Sequence, residues 1–402
     1  MSLDKPRYIP TPTSLQEYAS FIHPGHPEVR VQQALTHIIS ANPPLGVYTQ
    51  DQCRGFFRGP TSLAYLLLRI HATYPEIKIQ GQSLRQWATS YAAVEREGGD
   101  SAPCGLACES AAFWAVATIL DATKAPKFRE VLERLADEDD HPYELLFGYA
   151  GILYMIRAVE FSVRVDVPFL QARNGIDNQV YQRPETASQF AIVKSRIVEK
   201  TLGAGPLWTW RGKRYIGAVH GDIGILTQLL LTDPKLAENP MIRRSIERQL
   251  EIQRENGNWE TKDDPGNTIY EGLTQFCHGA PGFILSLVHI ERFFPDLKEK
   301  IGKALKSGRE FIWKEGLLRK EPCLCHGTLG NSLAFPPGQR RDHFLAWSLP
   351  SKVAEEHKRD ETLFPPEDGA RLATFFDYWP SAAWTWMVCG EEVPGFILYT
   401  DV

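Results

Sequence analysis

Gln-Phe-Cys-His-Gly-Ala-Pro-Gly at residues 275–282 and Leu-Cys-His-Gly-Thr-Leu-Gly at residues 324–330 are near-copies of one short pattern. A third, incomplete copy is Ala-Val-His-Gly-Asp-Ile-Gly at residues 218–224. In each copy a cysteine or histidine precedes closely spaced glycines, and an apolar run follows the copies at 275–282 and 218–224. This order indicates a loop that leads into the N-terminus of a buried helix.

Similar glycine turns recur along the whole chain. Six of them begin at Gly59, Gly105, Gly148, Gly221, Gly279 and Gly327. Four of the five gaps lie between 43 and 58 residues, a length that fits two helices of about 12 residues each with their loops. A seventh unit is predicted at residues 376–386, where an apolar run again follows a turn. The sequence therefore predicts tandem helical hairpins.

The hairpins contain two kinds of helix. Phe128, Leu132 and Leu135 belong to an apolar stripe among charged residues, which is typical of an outer helix. Residues 63–68 and 283–288 are apolar on nearly every side, which is typical of an inner helix. We predict an all-α fold, an α/α toroid or double barrel of about seven helical hairpins with inner and outer layers. An open solenoid is the alternative, but its terminal repeats would need polar caps.

We expect a single domain over residues 1–402. The rhythm breaks at about 155–215, where a loop-rich insertion with one helix is predicted, and the last repeat at about 371–402 is degenerate because residues 377–381 lack both glycines. Residues 336–370 are rich in proline, glycine and charge, and their weak periodicity predicts little helix.

Composition excludes several classes of protein. The chain is 43% hydrophobic and 23% charged with a net charge of −5, which argues against nucleic acid as the main partner. Seven scattered cysteines are a poor disulfide framework. No apolar stretch approaches the roughly 18 residues of a membrane span, and Met1–Lys5 begins neither a signal peptide nor a myristoylation site. These features predict a cytoplasmic protein.

Cys277, Cys325 and His326 are the candidate metal ligands. Thiolate and imidazole groups suit Zn²⁺, and three protein ligands would leave a fourth position open, as in catalytic zinc sites. Read singly, each Cys-His pair is a buried thiol beside a capping imidazole, but the duplicated context favours a shared metal. Cys323 is a possible substitute ligand, and we interpret the other four cysteines as core thiols.

The glycine turns, residues 256–259, residues 277–282 and residues 325–327 resemble the lanthionine synthetase C-like family over almost the whole chain. The resemblance implies a toroid of seven inner and seven outer helices and one Zn²⁺ on Cys277, Cys325 and His326. Bacterial members close thioether rings by adding cysteine thiols to dehydroalanine or dehydrobutyrine. Ala280-Pro281-Gly282 is more similar to eukaryotic members, which add glutathione to such residues in proteins.

The resemblance also implies catalytic residues. Zinc turns a bound thiol into a thiolate, and its attack on a dehydroamino acid requires an acid that delivers a proton. His220 is at the position of the family's catalytic histidine, and Glu144 matches an acidic position that would orient it or assist proton transfer. His278 is where bacterial enzymes have a tyrosine. Leu273 replaces their arginine, which leaves stabilisation of the enolate unassigned.

Glutathione would need cations for its two carboxylates. Arg7 and Lys320 resemble the residues that bind it in relatives, and Arg371 is a third candidate; without the family, each would be a surface charge. An enzyme that acts on a dehydroamino-acid-containing protein or peptide is our first hypothesis. A non-catalytic glutathione- and zinc-binding scaffold or signalling adaptor is the second. A glycosidase toroid would need paired carboxylates, and these turns carry Cys and His instead.

Overall fold

The computed structural model describes residues 6–12, 27–100, 102–165, 189–263, 272–365 and 372–402. Helices dominate it, as the sequence predicts. The α-helices are Pro27–Ala41 (α1), Pro60–Thr73 (α2), Leu84–Ala93 (α3), Glu109–Leu120 (α4), Ala125–Asp137 (α5), Tyr149–Val165 (α6), Ala191–Gly203 (α7), Asp222–Thr232 (α8), Pro240–Glu251 (α9), Ala280–Ile290 (α10), Lys298–Glu315 (α11), Thr328–Ser332 (α12), Gln339–Trp347 (α13), Pro350–Arg359 (α14) and Tyr378–Val388 (α15).

Strands are few and short in this part of the chain. They are Val47–Tyr48 (β1), Lys78–Ile79 (β2), Gln82–Ser83 (β3) and Glu95–Arg96 (β4). Strands β1 and β4 pair in parallel, and β2 and β3 pair antiparallel. None of the helices described is long and apolar enough to cross a membrane.

The chain divides into two compact units. The small unit is Asn42–Gly205 with Val402, and the large unit is Met1–Ala41 with Pro206–Asp401. In the small unit α2 packs on α3 and α4, α4 on α5 and α6, and both α5 and α6 on α7. In the large unit α8 packs on α9 and α10, α10 on α11, α12 on α13 and α15, and α15 on α1. A single domain over residues 1–402 stays a prediction.

The two predicted kinds of helix are present in the large unit. In α8 the nine residues 222–230 are all buried, and α10 is buried from Ala280 to Leu287. In α9 only Ile242, Ser245, Ile246 and Gln249 are buried, at the spacing of one helix face. Apolar inner helices and amphipathic outer helices therefore alternate here.

The predicted glycine turns lead into helices, and the turns need glycine because a side chain would not fit there. Five helices begin directly after the turn glycine, at residues 60, 149, 222, 280 and 328. In four turns, a Cβ added to the second glycine would collide with the carbonyl oxygen six residues earlier. The distance between the two atoms would be 2.1 Å for Gly151, 2.0 Å for Gly224, 2.1 Å for Gly282 and 1.9 Å for Gly330. The glycines let the first helical turn pack against its own loop.

We expect Gly282→Ala and Gly302→Ala to change stability in opposite directions. Alanine at 282 would collide with the Phe276 carbonyl, so the free energy of unfolding should fall by about 1–3 kcal/mol. Gly302 lies in the exposed face of α11 with open space around it, so alanine there should raise that free energy by about 0.5–1 kcal/mol. Urea unfolding followed by circular dichroism measures both. Changes of the same sign would contradict this explanation of the turns.

The structure corrects two expectations. Helix α6 continues to Val165, so the first eleven residues of the predicted insertion at 155–215 are helical, while α7 matches its one predicted helix. Residues 336–370 contain α13 and α14, although little helix was predicted. Arg341 in α13 is fully buried and donates to the carbonyls of Phe335, Cys389 and Glu391. The buried residues of this helix, 341 and 343–346, are nearly consecutive and do not follow the spacing of one helix face, which is why the periodicity missed it.

Candidate active site

Backbone hydrogen bonds join the motif loops of the large unit. The amide of Cys277 donates to the carbonyl of Cys325 at 3.3 Å, and the amide of Cys325 donates to the carbonyl of Phe375 at 2.9 Å. The loops before α10, α12 and α15 therefore lie side by side. Asn258 supports the first of them, since its amide donates to the Leu273 carbonyl and its carbonyl oxygen accepts from the amide of Ala280.

The thiols of Cys277 and Cys325 are in contact. Both are buried, and a hydrogen bond joins the two sulfur atoms. This bond lowers the pKa of Cys277 to about 6 and raises that of Cys325 well above its usual value. The hydrogen bond therefore favours ionisation within the pair. Two adjacent sulfurs suit a soft metal ion.

His326 and His220 also affect this pair. After the hydrogen bond from Cys325, the imidazoles of both histidines contribute to lowering the pKa of Cys277. The ring of His326 lies 5.4 Å from that of Phe376, centroid to centroid. The described residues contain no closed group of three or more His, Cys, Asp or Glu side chains. The donor types and the paired thiols fit zinc, but His326 does not complete a closed group with the two thiols in the described part of the chain.

His220 lies in an aromatic cluster. Its ring stacks on Trp210 with centroids 4.1 Å apart and planes 3° apart. The ring of Tyr215 lies 5.9 Å from that of His220 and 5.7 Å from that of His278, and the two imidazoles are 6.1 Å apart. This packing fixes the plane of the His220 ring beside the thiol pair.

His278 is a neutral imidazole. Burial lowers its pKa to about 4, and the charges of His220 and Lys262 add to the effect. Its Nδ1 atom is buried without a hydrogen-bond partner among the described residues. Gly217 makes room for it, because a Cβ there would lie 3.2 Å from that atom. A buried polar atom with no partner is costly, which is typical of a site that a ligand completes.

A chain of hydrogen bonds connects Lys320 to the thiol pair. The ammonium of Lys320 donates to Oε1 of Gln275 at 3.3 Å, and Nε2 of Gln275 donates to the sulfur of Cys277 at 3.0 Å. Arg7 lies alongside, since its carbonyl accepts from the amide of Arg319 at 3.2 Å. Neither Arg7 nor Lys320 pairs with a carboxylate in the described part of the chain. Two of the predicted glutathione-binding cations are thus brought together.

Glu144 and Arg371 stay predictions as site residues. Glu144 belongs to the small unit, where it is buried and accepts from the amides of Leu146 and Phe147. These bonds give it a role within its own loop, and its relation to His220 stays a prediction. Arg371 lies outside the described residues.

Sequence reasoning missed Gln275 and Trp210. Gln275 contacts Cys277 and Trp210 stacks on His220, and both of these partners were identified from the sequence. Neither glutamine nor tryptophan indicates a catalytic site by its residue type alone. Their roles depend on which side chains the fold places beside them. The seven cysteines are all buried free thiols, which confirms that they are no disulfide framework.

Comparisons with known proteins identify a family and relatives of this chain. The sequence model of the lanthionine synthetase C-like protein family matches residues 40–337. Glutathione S-transferase LANCL1 of Danio rerio is 29% identical over 201 residues, 48% of this chain and 46% of that protein. LanC-like protein GCL1 of Arabidopsis thaliana is 32% identical over 229 residues, 54% of this chain and 49% of that protein. The matched part spans about half the length of each relative.

The fold has a known counterpart. The structure is similar to that of nisin cyclase, with a TM-score of 0.53 over 91% of this chain and 95% of that one, at 12% sequence identity. This similarity concerns the fold and confirms the predicted α/α-toroid class. Together with the family match over most of its length, it shows that the chain belongs to the lanthionine synthetase C-like family.

Proposed function

We propose that this chain adds a thiol, with glutathione as the donor, to dehydroalanine or dehydrobutyrine residues of proteins or peptides and forms a thioether. The observation that carries the proposal is the Cys277–Cys325 thiol pair, which lies near His220 and accepts a hydrogen bond from the Lys320–Gln275 chain. The similarity to a protein named as a glutathione S-transferase supports glutathione as the donor.

The donor side would bind glutathione by its charges. Glutathione carries two carboxylates, and Arg7 and Lys320 provide two cations on neighbouring extended segments. Lys320 is tied through Gln275 to the sulfur of Cys277, so a carboxylate bound at Lys320 would lie near the thiol pair. This arrangement favours a donor with an anionic group a short distance from its sulfur.

Cys277, Cys325 and His326 would hold Zn²⁺. Bound there, zinc would supply a thiolate at neutral pH by lowering the pKa of an incoming thiol. The protein's own contribution is a buried, partly ionised sulfur pair whose charge Gln275 stabilises with an N–H donor. The free thiols also make a reducing compartment such as the cytoplasm part of the proposal.

The histidines would serve the acceptor side. When the thiol adds, an S–Cβ bond forms, the π electrons of the C=C bond move to the α-carbon and its carbonyl, and a proton must reach the α-carbon. We assign that proton transfer to His220, whose ring plane is fixed by Trp210. His278, neutral and with a buried ring nitrogen that lacks a partner, would donate a hydrogen bond to the carbonyl as charge develops there. The thiol loses its proton to solvent and His220 regains one from solvent, so the net reaction is addition of R–S–H across C=C.

The test is direct. The purified protein is incubated with glutathione and a dehydroalanine peptide, and the mass of the peptide is followed. A gain of one glutathione, faster than in a protein-free control, supports the enzyme. Glutathione binding by calorimetry without any mass gain would replace the enzyme with the non-catalytic scaffold.

A further inference from the structure

A short β-hairpin places cationic side chains beside the aromatic cluster that contains His220 and His278. Trp210 and Lys213 exchange both backbone hydrogen bonds, at 2.9 and 3.0 Å, around the turn Arg211-Gly212. Both turn residues have left-handed backbone angles, φ +51° and φ +69°, as a two-residue type I′ turn requires. Arginine is strained in that conformation where asparagine or glycine would not be.

The base of this hairpin is anchored by buried charges. Arg214 donates to Asp222 at 2.8 Å and to Asp263 at 2.5 Å, and Arg248 donates to Asp263 at 2.6 Å. Asp222 is buried at the start of α8, two residues after His220. The hairpin and the histidine are thus held to one rigid point.

The same ion pairs determine the net charge of the surface that the hairpin forms. The carboxylates of Asp222 and Asp263 pair with Arg214 and Arg248, whereas Arg211 and Lys213 are exposed and make no ion pair within the described ranges. The guanidinium of Arg211 lies 4.6 Å from the centre of the Trp210 ring, and the ammonium of Lys262 lies 5.9 Å from that of Tyr215. Aromatic rings that touch His220 therefore hold cations in place, although the chain as a whole has a net charge of −5.

We propose that the Trp210–Lys213 hairpin and Lys262 form a subsite for the acceptor that selects peptides with acidic residues beside the dehydroamino acid. The inference rests on the proposed function, because it takes His220 as the point where the acceptor reacts. Arg7 and Lys320 would bind the donor, and this second cationic edge, on the histidine side of the site, would bind the acceptor. The charges would act chiefly by attracting and orienting the peptide.

Two peptides test the subsite. Both carry a central dehydroalanine, flanked on each side by two glutamates in one and by two glutamines in the other, and kcat/KM for glutathione addition is measured for each. We expect wild type to prefer the acidic peptide about tenfold at low salt, with the preference shrinking as salt screens the charges. Arg211→Gln with Lys213→Gln should bring the ratio close to one. Arg211→Glu with Lys213→Glu should reverse the ratio, so that the neutral peptide reacts faster than the acidic one.

The controls separate this inference from the proposed reaction. Lys298→Gln with Lys300→Gln removes two exposed charges from α11 and should leave the ratio at its wild-type value. Binding of labelled peptides with alanine in place of dehydroalanine, followed by fluorescence anisotropy, needs no turnover. Equal binding of acidic and neutral peptides by wild type, or a preference that survives both hairpin double variants, would overturn the subsite. No adduct with any peptide, despite selective binding, would count against the reaction alone.

Discussion

Replacing Cys277 or Cys325 with serine is expected to slow formation of the glutathione adduct by at least about a hundredfold. Substitution of residues that merely support metal ligands already costs about 10- to 100-fold in such sites, and these two sulfurs are the proposed ligands themselves. Each variant also breaks the sulfur–sulfur hydrogen bond that lowers the pKa of Cys277. The rate is measured by mass spectrometry, and the metal content of the same samples should fall together with it.

Cys53→Ala is the matched control. Cys53 is also buried, but burial raises its pKa to about 11, so it stays a neutral thiol and is not part of the motif loops. We expect this variant to keep its metal and to react within about twofold of the wild-type rate. If the two serine variants react as fast as Cys53→Ala, the sulfur pair has no part in the chemistry.

His220→Asn is expected to lower kcat by about 10²- to 10⁴-fold, the usual contribution of a positioned acid. Asparagine keeps a polar side chain of similar size but cannot transfer a proton. The KM for glutathione should stay within about threefold, because Arg7 and Lys320 lie on the donor side of the site. Steady-state kinetics with varied glutathione separates the two effects.

His289→Asn serves as the comparison for that variant. His289 is a largely buried histidine whose Nδ1 bonds the carbonyl of Leu285 in its own helix, and burial lowers its pKa to about 4. Its replacement should leave kcat unchanged. An equal loss of glutathione binding and of kcat in His220→Asn would move that histidine from proton transfer to donor binding.

The repeated motif made the thiol pair predictable. In four turns the same position leaves no room for a Cβ, so glycine must occupy it. The repeat is therefore visible in the sequence at each of these turns. Because Cys277 and Cys325 occupy matching places in successive repeats, their loops pair through the backbone and their thiols meet. At this site, the local sequence motif therefore predicts which side chains are neighbours in space.

For other residues, the side chains and carbonyls that surround them are set by long-range packing. Gln275 matters because Lys320, 45 residues away, and Cys277 flank its amide. Arg341 orders a helix by binding carbonyls up to 50 residues away, against the local periodicity. Neither effect follows from composition or spacing, since a polar side chain can be satisfied by water as well as by a distant partner. For the same reason the partner of Glu144 in catalysis stays a prediction.

X-ray absorption at the zinc edge tests the central claim most directly, since it reports which atoms surround the metal. In purified protein with about one zinc per chain, we predict two sulfur ligands and one imidazole nitrogen, with a third sulfur appearing when glutathione is added. Protein that holds no zinc when zinc is supplied, or a zinc whose sulfur count does not change with glutathione, would contradict it.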